Sequence, residues 1–124
     1  MNVVDSSGWL EYFADGPNAD FFANAIENTS DLVVPTISIY EVFKRVLQQR
    51  DESAALLVTV DMQQGLIVDL DVTLALDAAK LSYDLKLPLT DSIMLTTAHA
   101  YGATLWTQDA DFIDIEGVQY TKKK

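Results

Sequence analysis

Leu32-Val33-Val34-Pro35-Thr36-Ile37-Ser38-Ile39-Tyr40-Glu41-Val42, continuing to Arg50, decides the fold. Its first four residues form a short apolar run closed by proline, the pattern of a strand buried on both faces. From Ile37 the period changes, and Ile39, Val42, Phe43, Val46 and Leu47 recur at helical spacing as far as Arg50. A second helical stretch, Asp51 to Met62 with Leu56, Leu57 and Val60, leads to another apolar run, Gly65-Leu66-Ile67-Val68. Strand, helices and strand in that order make a crossover, which is what parallel neighbours in a sheet require.

The alternation extends in both directions. Val3-Val4 reads as a strand ending at Asp5, followed by a helix over Ser6 to Ala14 that Asp15-Gly16-Pro17 breaks, and a helix over Asn18 to Asn28. Beyond Val68, helical patterns run from Val72 to Leu87, closed by Pro88, and from Asp91 to Tyr101, closed by Gly102. Thr104-Leu105-Trp106-Thr107 gives a fourth strand, Asp109 to Phe112 a short turn, and Gly117-Val118-Gln119-Tyr120 a fifth strand. The expected architecture is one α/β domain over residues 1–121, three-layered, with a central parallel sheet of four to five strands between helices. Residues 122–124, all lysine, form a basic tail.

Composition narrows the chemistry. The 124 residues are 49% hydrophobic and 22% charged, a balance that supports a packed core. Eight Lys and Arg against nineteen Asp and Glu leave a net charge of −11, the opposite of a bulk electrostatic footprint for nucleic acid or anionic membrane. The absence of cysteine excludes disulfides, thiolate zinc sites and thiol nucleophiles, and a single histidine, His99, provides no histidine cluster for a metal. No basic, apolar leader opens the sequence and no apolar run approaches membrane-spanning length, so a cytoplasmic protein without membrane contact is expected. Carboxylates are the remaining source of chemistry.

In open parallel sheets, sites form beyond the carboxyl ends of the strands. Asp5 follows Val3-Val4, Glu41 lies in the first turn after Leu32–Pro35, Asp91 opens a helix after Pro88-Leu89-Thr90, and Asp109 follows Leu105-Trp106-Thr107, with Asp111 two residues on. Acids also favour helix starts as caps and through the macrodipole. Ser38-Ile39-Tyr40-Glu41 matches a capping box, Thr90 can cap a helix with Asp91 in its first turn, and Asp71 after the third strand reads as a cap. Convergence would separate the two readings. Like charges about 4 Å apart repel by roughly 4 kcal/mol at an effective dielectric near 20. Several carboxylates in one pocket therefore call for a hard dication such as Mg²⁺.

The ordered set of segments resembles the PIN domain, in particular the VapC type of toxin ribonuclease from prokaryotic toxin–antitoxin modules. Val3-Val4-Asp5-Ser6-Ser7 with Trp9 is similar to the family's opening strand and first acid, and Pro35 to Val42 to the segment bearing the second. Leu87-Pro88-Leu89-Thr90-Asp91-Ser92-Ile93 with Ala98 is similar to the third, and Leu105 to Phe112 to the T-x-D-x-D-F block. The resemblance covers nearly the whole chain. It implies a Mg²⁺- or Mn²⁺-dependent endoribonuclease acting on tRNA or rRNA, dimeric, and inhibited by a cognate antitoxin. Carried over, Asp5, Glu41, Asp91 and Asp109 are the acidic quartet, with Asp5 and Asp91 as principal metal ligands and Asp111 as the reserve for Asp109. Ser7 and Thr107 are expected to hydrogen-bond the carboxylates. Metal-activated water would attack in line, leaving 5′-phosphate and 3′-hydroxyl ends.

Lys44, Arg45 and Arg50, on the helix carrying Glu41, are candidate phosphate contacts, as well as an ordinary solvated face. His99 reads as a helical surface residue, and Trp9, Tyr12, Phe13, Phe21 and Phe22 as core. The helices Ile37 to Arg50 and Val72 to Leu87 are candidates for a homodimer interface. Two other classes compete. A catalytically inactive PIN-like binding module would keep fold and partners without turnover. A receiver-like signalling domain would need paired acids near the first strand and a late-strand lysine, and this sequence has one acid there, Asp5, and no lysine after a late strand before the tail.

Overall fold

The computed structural model describes all 124 residues. Five strands, β1 (Asn2–Val4), β2 (Val33–Pro35), β3 (Leu66–Val68), β4 (Thr104–Thr107) and β5 (Val118–Tyr120), alternate with six helices. The helices are α1 (Ser6–Phe13), α2 (Ala19–Glu27), α3 (Thr36–Gln49), α4 (Glu52–Met62), α5 (Val72–Leu85) and α6 (Leu89–Ala100). Every strand pairing is parallel. The order β1-β4-β5 makes one ladder and β2-β3 another, joined through a bridge between Asn2 and Leu32.

Side-chain alternation along these short strands builds two cores. Val3 and Val33 point into a cluster with Leu74, Leu87, Met94, Leu95, Leu105 and Phe112, under α5 and α6. Val4 and Val34 point the other way, against Trp9, Phe22, Ile26, Val42, Val46 and Met62 of α1–α4. The sheet is thus the middle of three layers. α6 is its most enclosed helix, with every residue from Asp91 to Ala98 buried. The aromatic expectation resolves residue by residue: Trp9 and Phe22 are fully buried, while Tyr12, Phe13 and Phe21 pack against the core from its edge.

Several local expectations are corrected. The helix after β2 begins at Thr36, capped by Pro35, so Glu41 stands in its second turn and not its first. Ser38 is inside the helix with its hydroxyl buried and unpartnered, and there is no capping box. Pro88, not Thr90, caps α6, because its ring fixes an extended backbone that turns straight into the helix. α5 stops at Leu85, two residues before the expected end. Lys86 takes a left-handed conformation (φ 56°), and Leu87 is turned into the core with its carbonyl accepting from Ser82 Oγ at 2.6 Å. On α4 the buried positions are Ala55, Thr59 and Met62, while Leu56, Leu57 and Val60 face outward. α4 turns Ala55 and Thr59 inward with Met62 at its end, and leaves the three branched side chains at the surface.

Candidate metal centre

Strand register builds the site. Val4 lies opposite Trp106, and the Asp5 N–H donates to the Trp106 carbonyl at 2.9 Å. The next residues of the two strands, Asp5 and Thr107, are therefore neighbours at the carboxyl edge of the sheet, where parallel strands open onto their loops. Thr107 Oγ1 donates to Asp5 Oδ2 at 2.8 Å, and Ser7 Oγ donates to the same oxygen at 3.0 Å. Thr107 Oγ1 in turn accepts the Asp109 N–H at 2.9 Å. One buried hydroxyl thereby fixes the first carboxylate and the backbone of the last.

Asp91 reaches the same edge from α6, which packs against β1, β2 and β4. Carboxylate oxygens of Asp5, Asp91 and Asp109 all lie within 4.8 Å of one another. Asp5 and Asp91 are buried and Asp109 half-buried. The capping alternative can now be tested side chain by side chain. Asp51 and Asp71 do cap, accepting from Ala54 N and Leu74 N at 2.8 Å each. Asp5 precedes α1 yet makes no side-chain cap bond, and Asp91 is not a cap residue. Asp109 divides its roles, with Oδ1 accepting the Asp111 N–H at 2.9 Å to close the turn Ala110–Phe112. Asp111 itself is exposed and outside the three-way group.

Glu41 stands beside this group without joining it. It is half-buried, and Oε1 accepts from Ser6 Oγ at 2.7 Å, a tie between the start of α1 and the second turn of α3. Ser6 was legible only as the neighbour of Asp5, and nothing in its spacing pointed to Glu41.

The electrostatics are those of crowded acids. Burial pushes the Asp5 carboxyl up to about 6, against the pull of its Thr107 and Ser7 hydrogen bonds, with the charge of Asp109 adding to the rise. Burial, followed by the charges of Asp5, Asp109, Asp111 and Glu41, pushes Asp91 up to about 7. Full ionisation of such a set is costly unless a cation joins it. The donors are all hard carboxylate oxygens, and no histidine or thiol is among them. These residues fit a Mg²⁺- or Mn²⁺-type ion.

The remaining expected residues lie around this centre. Arg45 lines a groove of about 370 Å³ between α1, α3 and α4 that also takes in Ser7 and Gln108. Lys44 is exposed, its Nζ 5.9 Å from the Tyr40 ring centroid. His99 is exposed in the last turn of α6, in a separate depression with Asp114 and Glu116. Sequence reasoning missed the buried amides Asn18 and Gln108, which bond to each other behind Ser7 (Asn18 Nδ2 to Gln108 Oε1, 2.9 Å). Such a pair joins residues 90 positions apart and leaves no local pattern.

Residues 3–118 match the family model of the PIN domain. No curated protein sequence matches. Among solved structures, the fold is similar to a chain of a toxin–antitoxin complex from Klebsiella pneumoniae (22% identity, 96% of each chain, TM-score 0.80). It is also similar to a chain of DNA-bound VapBC from Salmonella typhimurium (15% identity, 98% of this chain and 97% of that one, TM-score 0.75). A third is Mycobacterium tuberculosis VapC20, described as a sarcin-ricin loop cleaving toxin (12% identity, 90% of this chain and 92% of that one, TM-score 0.73). At these identities the likeness carries the fold.

Proposed function

The chain belongs to the PIN domain family, and on that premise we propose that it is a divalent-metal-dependent endoribonuclease, the toxin of a toxin–antitoxin pair that acts in the cytoplasm. The observation that carries this reading is the gathering of Asp5, Asp91 and Asp109 oxygens within 4.8 Å, with Asp5 making no side-chain cap bond and Asp91 inside its helix. Asp5 and Asp91 are the principal ligands for Mg²⁺ or Mn²⁺, and Asp109 completes the set. When bound, the ion supplies the positive charge that lets three carboxylates and an RNA phosphate share one site, and it acidifies water. Thr107 and Ser7 hold the Asp5 carboxylate in one orientation. Glu41, kept in place by Ser6, faces the site from α3 and orients water for in-line attack on the phosphodiester. Lys44 and Arg45 contact flanking phosphates.

The toxin–antitoxin assemblies among the structural neighbours support a protein antitoxin as partner. The neighbour described as a sarcin-ricin loop cleaving toxin supports cleavage as the activity, and the family resemblance puts tRNA or rRNA forward as the substrate class. A homodimer is supported by the outer face of α5, where Val72 and Leu76 are largely exposed. The test is incubation of total RNA with the protein in Mg²⁺ or Mn²⁺, against chelator and against Asp5→Asn. Cleavage by the wild type alone, leaving 5′-phosphate and 3′-hydroxyl ends, is expected. A 2′,3′-cyclic phosphate product would exclude attack by water, and metal-loaded protein without turnover would place the chain among inactive PIN modules.

A further inference from the structure

Six of the eight basic residues fall in two short segments, Lys44 to Arg50 and Lys122 to Lys124. The fold brings both segments to one groove. Arg45 and Arg50 of the first and Lys123 of the second line it, together with Ser7, the residue that bonds Asp5. Its one carboxylate, Glu11, already accepts the Asn18 N–H through Oε2 at 3.1 Å. In a chain of net charge −11, cations are concentrated on this surface, next to the acidic centre.

The tail is built into place. The Thr121 N–H donates to the Thr107 carbonyl at 3.1 Å, carrying the β4–β5 ladder one residue further. Asn18, buried to 3% exposure, donates through Nδ2 to the Lys122 carbonyl at 3.1 Å and to Gln108 Oε1 at 2.9 Å. Asn18 thus ties the Lys122 backbone to the buried Gln108 amide. Thr107 and Gln108 serve both the tail and the surroundings of Asp5.

We propose that Lys122–Lys124, held by Asn18, forms with Arg45 and Arg50 a phosphate-binding track that leads a single RNA strand to the acidic centre. The proposal rests on the ribonuclease reading above. Single-strand binders line the path of the nucleic-acid backbone with cations beside apolar and aromatic surface, and here Arg45, Arg50 and Lys123 stand over a lining of Leu10, Phe13, Val46 and Val58. Continuity with Ser7 favours RNA over an acidic protein segment, because the strand must pass the centre where it is cut.

The test uses the full chain carrying Asp91→Asn to prevent cleavage, and a labelled single-stranded RNA of mixed sequence, read by anisotropy across a salt series. Each phosphate that a protein neutralises on a single strand contributes about 0.7 to the log–log salt slope. Replacing Lys122, Lys123 and Lys124 by Ala together is therefore expected to make that slope shallower by about two. Asn18→Ala retains every charge and is expected to weaken binding severalfold, with Mn²⁺-induced thermal stabilisation intact when Asp91 is restored. An unchanged slope in the triple variant, while the wild-type chain still cleaves RNA with Mn²⁺, would overturn the track and leave the ribonuclease reading standing. Unchanged RNA binding with weakened binding of poly-glutamate would overturn it and assign the tail to an acidic partner. A wild-type chain that neither binds nor cuts RNA would overturn both.

Discussion

Replacing Asp91 by Asn removes a charge that burial and four neighbouring carboxylates oppose, while keeping the shape of the protonated acid. The sign follows from proton linkage. The folded chain holds the Asp91 proton up to about pH 7, whereas the unfolded chain releases it near the ordinary 3.8. Between those values the folded state binds more protons, so stability without metal falls as pH rises through that window. Moving a carboxyl from 3.8 to about 7 costs its charged form on the order of 4 kcal/mol. Asn must still bury an amide, which offsets about 1–3 kcal/mol, leaving a net gain of about 2 kcal/mol at pH 8. For a domain of this length that corresponds to a rise in Tm of roughly 6–10 °C. Thermal unfolding followed by circular dichroism in chelator, at pH 8 and pH 5, reads it directly. The variant is expected to be more stable than wild type at pH 8, to lose the advantage at pH 5, and to gain nothing from Mn²⁺ that stabilises the wild type. A variant no more stable at pH 8, or equally favoured at pH 5, would refute the account of crowded buried charge.

Mn²⁺ affinity of the wild type is expected to fall as pH drops below about 7, because the ion must displace protons from Asp91 and then Asp5, and calorimetry in two buffers would count the protons released. Thr107→Val deletes the donor to Asp5 and the acceptor of the Asp109 N–H at a fully buried position. It should cost about 1–3 kcal/mol in urea unfolding and weaken Mn²⁺ binding in parallel. Gly8→Ala places a Cβ 2.6 Å from the Phe22 ring and 2.8 Å from Val4. The overpacking should cost about 1–3 kcal/mol, lowering the urea midpoint with the m-value unchanged. Leu76→Lys on the exposed face of α5 is expected to leave unfolding within about 0.5 kcal/mol of wild type. Light scattering should show the solution mass reduced from dimer to monomer.

Strand positions, parallel pairing and the order of helices were legible because each depends on local apolar period and on Pro or Gly punctuation. Asp5 and Asp109 were legible as acids beyond strand ends and Asp91 as an acid opening a helix, but their meeting depends on how the strands and α6 pack. Only the pairing of Val4 with Trp106 makes Asp5 and Thr107 neighbours. The errors have a common cause. Apolar period finds a helix without saying which of its side chains turn inward, and on α4 Leu56, Leu57 and Val60, the residues that mark the helix, face outward. Likewise Ser38 and Glu41 satisfy the capping-box spacing, yet Pro35 starts the helix early enough to place both inside it. The Asn18–Gln108–Lys122 bonds could not be read at all, since each partner is an unremarkable polar residue until the fold closes.

α6 is sheathed on every side from Asp91 to Ala98. Most helices offer a mutational refuge on their solvent side, and this one offers none over those eight positions. A random screen for loss of activity would therefore return hits throughout the segment, most of them from chains that no longer pack. Their density would outline the molecule's interior and not its chemistry. Only hits that melt like the parent would speak to the reaction, and on this helix Asp91 should stand nearly alone among them.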